Sequence, residues 1–238
     1  TQVSLDADTV VSAASWDAAL AAAGCAITAV RLTLGGEVGS AFALSRPPGH
    51  HAGADYSMGF CLFNNVAVAA RWAQVHHGIG RILIIDWDVH HGNGTQDIFY
   101  DDGAVHYLSL HQSPHYPGTG SARERGAGQG LGATTNVPVP AGMSRPAYMD
   151  TFREALDQAL HAASPELVLI SAGMDCLAGD PLGGLRLEPA DVHQMTREVV
   201  DRARVPVVAV LEGGYAPRRV GLAVVNALRA FAGLPAKD

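Results

Sequence analysis

The run Ile82-Leu83-Ile84-Ile85 and its counterpart Val207-Val208-Ala209-Val210 are apolar at every position. A strand with one face in water alternates polar and apolar residues, whereas a strand covered on both faces does not. These runs therefore predict the interior of a parallel sheet. Residues 41–44, 81–86, 105–110, 167–171 and 205–211 all read as short strands flanked by turn residues.

Helical patterns fall between them. Val66, Ala69, Ala70 and Ala73 share a face over residues 65–77, which stop at Gly78. Ser144 caps a second pattern, with Pro146 just inside its start and Met149, Phe152, Leu156 and Leu160 on its apolar side. Pro189 opens a third, through Val192, Met195, Val199 and Ala203, and Val220, Val224, Ala227, Leu228 and Phe231 mark the last. Strands alternating with helices predict an α/β domain with a mostly parallel sheet. No repeat, charge block or linker interrupts the chain, so residues 1–238 are expected to form one domain.

Composition narrows the function classes. A chain that is 48% hydrophobic and 16% charged builds a core and is not disordered. Sixteen Lys and Arg against 23 Asp and Glu give a net charge of −7, which disfavours a nucleic-acid partner. Cys25, Cys61 and Cys176 have the spacing of neither a disulfide framework nor a thiolate zinc site, and are expected to be buried or neutral fillers. No stretch is expected to reach the roughly 20 apolar residues of a membrane span. The chain opens TQVSLDADTV, which does not begin with Met and has no pattern expected of a signal peptide.

The polar residues are placed in a revealing way. Four apolar strands run into RPPGHH, DWDVHHGNG, AGMDCLAGD and EGGY. Carboxyl ends of parallel strands lie on one edge of a sheet, where ligands bind, so these segments converge. Asp86, Asp88 and His90 would share one side of an extended strand end, and Asp175 would come from a neighbouring strand. Carboxylate and imidazole donors suit zinc, iron(II) or manganese, and three protein ligands leave a coordination position for water or substrate. His50-His51 follows a rigid Pro-Pro-Gly turn, and a histidine there suits general base and acid work. Tyr215, after Gly213-Gly214, has a hydroxyl suited to a developing oxyanion. His76-His77 precede Gly78 and read as a helix end; His106, His161 and His193 read as structural. Residues 111–135 hold six glycines with Pro114 and Pro117, an irregular segment long enough to carry function.

These strings resemble the zinc-dependent histone deacetylase family, within the three-layer arginase–deacetylase fold, whose mostly parallel sheet has helices on both faces. The resemblance runs from Ser45 to Tyr215 through RPPGHHAG, GFCLFNNVAVAA, RILIIDWDVHHGNGTQDIFY, YLSLHQSPHYPGTG, SAGMDCLAGDPLGG and EGGY. It is closer to the class II-like and bacterial branch, because Asn93 stands where class I members carry Asp. It implies Asp88, His90 and Asp175 as ligands of zinc, with iron(II) as the alternative, and His51 as general base and acid. It makes His50 an electrostatic partner oriented by Asp86, Asn93 a neutral orienter of His51, and Tyr215 the transition-state hydroxyl. Phe60 and Tyr116 would wall an acyl-lysine channel, with Gly59 beside it and Leu182 at the rim; Tyr116 replaces the usual Phe. A structural potassium ion would lie among Asp86, Ser109 and the backbone of Asp88, His90 and Leu110.

The implied reaction is hydrolysis of N-acetyl-lysine in proteins or peptides by a metal-activated water, in the cytoplasm, with no nucleic-acid or membrane partner. An acetylated polyamine is the alternative substrate, disfavoured by Leu182 at the rim and by the short segment after Leu110-His111. A non-catalytic binding module is disfavoured because every expected position is occupied. A binuclear arginase-like site is disfavoured because DWDVHH has no additional bridging carboxylate. The family's catalytic domain begins upstream of residues 1–34, so rim elements, including a substrate-orienting Asp, are expected to precede this sequence.

Overall fold

The structure, a computed structural model, describes residues 2–237. A short antiparallel hairpin, β1 (Val3–Ser4) with β2 (Val10–Val11), leads into α1 (Ser15–Leu34) and β3 (Ser40–Ala43). There follow α2 (Asn65–His77), β4 (Ile82–Asp86), α3 (Asn93–Phe99), β5 (Val105–Gln112) and β6 (Thr134–Val139). The chain closes with α4 (Arg145–Ala163), β7 (Leu167–Ala172), α5 (Pro189–Ala203), β8 (Val207–Leu211) and α6 (Pro217–Phe231). The main sheet has six parallel strands in the order β3-β8-β7-β4-β5-β6.

Both faces of the central strands are covered, which explains their unbroken apolar runs. Ile82 and Ile84 pack with Val66 and Ala70 of α2, Val30 of α1 and Phe99 of α3. Their neighbours Leu83 and Ile85 point the other way, into a core with Phe152 and Leu156 of α4, Val192 of α5 and Val224 of α6. One strand thus feeds two cores, and all five residues of β4 are buried. The helix ends follow the expected chemistry. Asn64 accepts the Ala67 N–H at 3.0 Å, Gly78 closes α2 at φ 65°, and Ser144 accepts the Ala147 N–H at 3.4 Å. His76 and His77 lie in the last turn of α2, with the His76 ring stacked on Trp72.

Three features differ from the sequence reading. β6 rises out of the end of the glycine-rich segment and pairs in parallel with β5, so the irregular stretch is confined to residues 113–133. The short helix α3 begins at Asn93, in a segment for which the sequence reading gave no helix. The expectation about membrane-spanning length is overturned by α1, which is long and apolar enough to cross a membrane by length and composition. Its apolarity comes largely from alanine. Ala19, Ala22, Ala26, Ala29 and Val30 are buried, on a helix packed against α2 and β3. Small side chains permit that close approach, and their spacing suits a helix resting on a sheet.

Candidate active site

The carboxyl ends of β3, β4, β7 and β8 come together as expected, and the local backbone chemistry shows how. β4 ends at Asp86, so Asp88 and His90 converge through a turn, in place of the strand alternation anticipated from sequence. Asp86 Oδ1 accepts the Asp88 N–H at 3.1 Å and Asp88 Oδ1 accepts the His90 N–H at 2.9 Å. Each aspartate thus folds the chain back by two residues, as short acidic side chains do in turns. Asp175, beyond β7, accepts the Val89 N–H through Oδ1 at 2.9 Å.

Donor atoms of Asp88, His90 and Asp175 all lie within 4.8 Å of one another, and all three residues are buried. His90 Nδ1 is 3.0 Å from Asp88 Oδ1 and 3.3 Å from Asp175 Oδ2. That Asp175 oxygen is buried without a hydrogen-bond partner. Two carboxylates, one with an orphaned oxygen, and an imidazole form a donor set that fits zinc or iron(II). Two backbones enclose it: a Cβ on Gly213 would strike Asp175 Oδ2 and lie 2.7 Å from Asp88 Oδ2, and one on Gly173 would strike Asp88. Burial opposes charge on His90, yet Asp175 and Asp88 raise its pKa to about 10. Burial and the charge of Asp88 push Asp175 up to about 7.

His50 and His51 stand side by side, ring centroids 4.1 Å apart, in opposite electrostatic settings. His50 Nδ1 meets Asp86 Oδ2 at 2.9 Å. Burial works against its charge, but Asp88 and Asp86 prevail and hold its pKa well above the usual value. His51 Nδ1 faces Asn93 Oδ1 at 2.8 Å. Burial and the charge on His50 push its pKa well below the usual range, leaving a neutral imidazole at the cavity wall.

Glu212, at the end of β8, holds this turn in place and was passed over in the sequence. It is fully buried; Oε2 accepts the N–H groups of Gly49 and His50 at 2.6 and 3.1 Å, and Oε1 accepts the Ser171 hydroxyl at 3.1 Å. The available signal was an acid directly following an all-apolar strand, where it had to be buried.

A cavity of about 510 Å³ opens above the cluster. Gly59, Phe60, Tyr116, Leu182 and Tyr215 all line it with His51 and His90. Gly59, at φ 56°, brings its backbone against the His51 ring, and Phe60 takes a left-handed φ of 68°, a strained conformation held by its surroundings. The Tyr215 ring meets Phe60 edge-on at 5.9 Å, and its N–H donates to Asp180 Oδ2 at 2.7 Å. Burial and the charge of Asp88 raise the pKa of its phenol, which keeps its proton and serves as a donor.

Among the lining residues that were not anticipated, two carry titratable side chains. His115 stacks on His90 at 4.9 Å and its Nε2 lies 2.9 Å from the Leu182 carbonyl, joining the glycine-rich loop to the opposite rim. Asp8, in the β1–β2 turn, brings a carboxylate to the rim. Nothing in the local pattern of TQVSLDADTV distinguishes it.

The residues expected around potassium occupy adjacent strand ends, Asp86 pairing in register with Ser109 and Leu110 following on β5. The Asp86 oxygens are engaged by Asp88, His50 and Tyr107, and the Ser109 hydroxyl by His111 at 2.9 Å. No orphaned side-chain oxygen marks that position as Asp175 marks the first.

Fold and cluster together define an α/β protein with a candidate metal centre at a sheet edge, and the Histone deacetylase domain family matches residues 1–231: the chain belongs to this family. It is 41% identical over 233 residues to a histone deacetylase-like amidohydrolase of Pseudomonas aeruginosa, covering 94% of this chain and 61% of that protein. It is 43% identical over 215 residues to a probable deacetylase of Archaeoglobus fulgidus, covering 89% of this chain and 60% of the relative. A crystal structure of the HDA15 HD domain superposes with a TM-score of 0.92 at 41% identity, over 98% of this chain and 68% of that one. The architecture is accordingly the arginase–deacetylase fold, and the chain spans about three fifths of the length of these two relatives.

Proposed function

We propose that this chain is a metal-dependent amidohydrolase that removes acetyl groups from N-acetyl-lysine side chains of proteins or peptides. The observation that carries the reading is the buried Asp88, His90 and Asp175 cluster at a cavity lined by His51, His90 and Tyr215. Asp88, His90 and Asp175 would hold zinc or iron(II), which supplies Lewis-acid polarisation of the acetamide carbonyl and the attacking water.

The chain's own groups do the rest. His51 accepts the water proton during attack and then delivers it to the departing amine, releasing acetate. Protonated His50, beside it, favours negative charge developing in the site and keeps His51 neutral. The Tyr215 hydroxyl donates to the developing oxyanion. Phe60 and Tyr116 present apolar surface to the methylene chain, and Asp8 at the rim offers an acceptor for a substrate N–H.

The same reading takes residues 1–238 as one catalytic domain acting in the cytoplasm, with potassium beside Asp86 and Ser109 as a structural ion. It takes neither nucleic acid nor membrane as a partner. Leu182 at the rim favours an acetyl-lysine substrate; the Asp8 carboxylate favours an acetylated polyamine, whose cationic chain would meet it. Turnover of an acetyl-lysine peptide is therefore compared with that of N-acetylputrescine, using metal-loaded protein. A higher kcat/KM for the peptide is expected, and preference for the polyamine would overturn the choice.

A further inference from the structure

The tautomer of His51 depends on which end of the Asn93 side chain faces it. With Oδ1 at Nδ1, the ring carries its proton there and the other nitrogen is a free base. With the amide reversed, the ring would be protonated on Nε2 and useless as a base. The two ends of an amide have nearly the same shape, so packing does not choose between them.

We propose that Tyr56 and Asp97 are positioning residues that fix the Asn93 amide and, through it, the tautomer of His51. The inference rests on the reading of His51 as general base. Asn93 Nδ2 donates to the Tyr56 hydroxyl oxygen at 3.2 Å, its nearest acceptor, with Met58 Sδ and the His51 carbonyl farther away at 3.4 and 3.5 Å. A tyrosine hydroxyl both donates and accepts, so by itself it would satisfy either end of the amide. Asp97 removes the ambiguity. The Tyr56 hydroxyl donates to Asp97 Oδ2 at 2.5 Å, and a carboxylate only accepts. The phenol proton is committed, its oxygen is left as an acceptor, and Asn93 must offer its NH2 there and its oxygen to His51.

The arrangement is built into the backbone. Asn93 and Asp97 are four residues apart on α3 and share a face, which Tyr56 bridges. The Tyr56 ring lies over Gly53, whose N–H donates to the Tyr56 carbonyl at 3.0 Å; a Cβ on Gly53 would run into that ring. Burial and the charge of Asp97 raise the Tyr56 pKa, in keeping with a phenol that retains its proton. An amide does not pass a proton along, so this chain holds His51 and does not conduct from it.

The test uses the metal-loaded protein and its Tyr56→Phe, Asp97→Asn and Asp97→Glu variants. Both residues are exposed, and circular dichroism checks that the fold is retained. Long-range proton–nitrogen spectra of the His51 ring are expected to show the Nδ1–H tautomer in the parent and a mixture in Tyr56→Phe and Asp97→Asn. On an acetyl-lysine peptide, kcat is expected to fall about tenfold in those two with KM within about twofold, and Asp97→Glu to restore most of it. An unchanged tautomer in both variants overturns the proposal, whatever kcat does. Should the parent protein not hydrolyse the peptide at all, the amidohydrolase reading fails, and the tautomer comparison still decides the positioning role.

Discussion

The backbone N–H of Gly213 donates to Asp88 Oδ2 at 2.8 Å, tying the end of β8 to the loop that follows β4. The same glycine faces Asp175, where no side chain fits. Gly213→Ala is therefore expected to displace the two carboxylates and to lower zinc affinity roughly 10–100-fold, the usual cost of disturbing what orients a ligand. Competition with a zinc chelator measures it; parent-like affinity would show that the two carboxylates relax freely.

His51→Ala removes the group that moves the proton, and Tyr215→Phe removes one oxyanion donor. Each is expected to lower kcat about 10²–10³-fold or more, with unchanged circular dichroism and metal content. Steady-state kinetics on an acetyl-lysine peptide checks both. Near-normal turnover in either variant would reject that role.

Metal binding should stabilise the chain, because it relieves two buried carboxylates of their mutual repulsion. At a free zinc concentration 100 times Kd the gain is about 2.7 kcal/mol, which for a chain of this size raises Tm by roughly 5–10 °C. The ligands bind deprotonated, and Asp88 and Asp175 strengthen the hold of His90 on its proton. Affinity should therefore rise with pH and fall on acidification. Thermal melts with and without a chelator at several pH values test both statements.

Glu212 receives three buried donors, and its replacement separates hydrogen bonding from charge. Glu212→Ala leaves the Gly49 and His50 N–H groups and the Ser171 hydroxyl unpartnered, at a cost of about 3 kcal/mol or more. Glu212→Gln can keep its oxygen on the two N–H groups and donate its NH2 to Ser171, so it should cost less. Urea denaturation of the two variants distinguishes them; equal losses would show that the carboxylate charge matters most.

Much of the fold was legible because the local signals agree with one another. Asn64 and Gly78 bound α2, Ser144 begins α4, and the unbroken run of β4 announces burial on both faces. α1 was less legible because alanine contributes little contrast between faces, and β6 because it follows a segment crowded with glycine. In the site, the motif residues emerged because they cluster at strand ends. Glu212 and His115 did not, since each acts on a partner at least 25 residues distant, and Asp8 did not, since only the fold brings it to the cavity.

The sequence by itself determined the parallel α/β architecture, the edge on which the site lies, and the donor types gathered there. Those follow from hydrophobic period and from the order of residues along each strand. Only the tertiary structure decided the electrostatics: which of two adjacent histidines is charged, which carboxylate oxygen lacks a partner, and which way an amide faces. Each depends on burial and on groups from distant strands brought within hydrogen-bonding distance, and no local spacing encodes them. Thus His50 and His51, neighbours in the chain, take opposite protonation tendencies because Asp86 and Asp88 lie nearer the first and Asn93 meets the second.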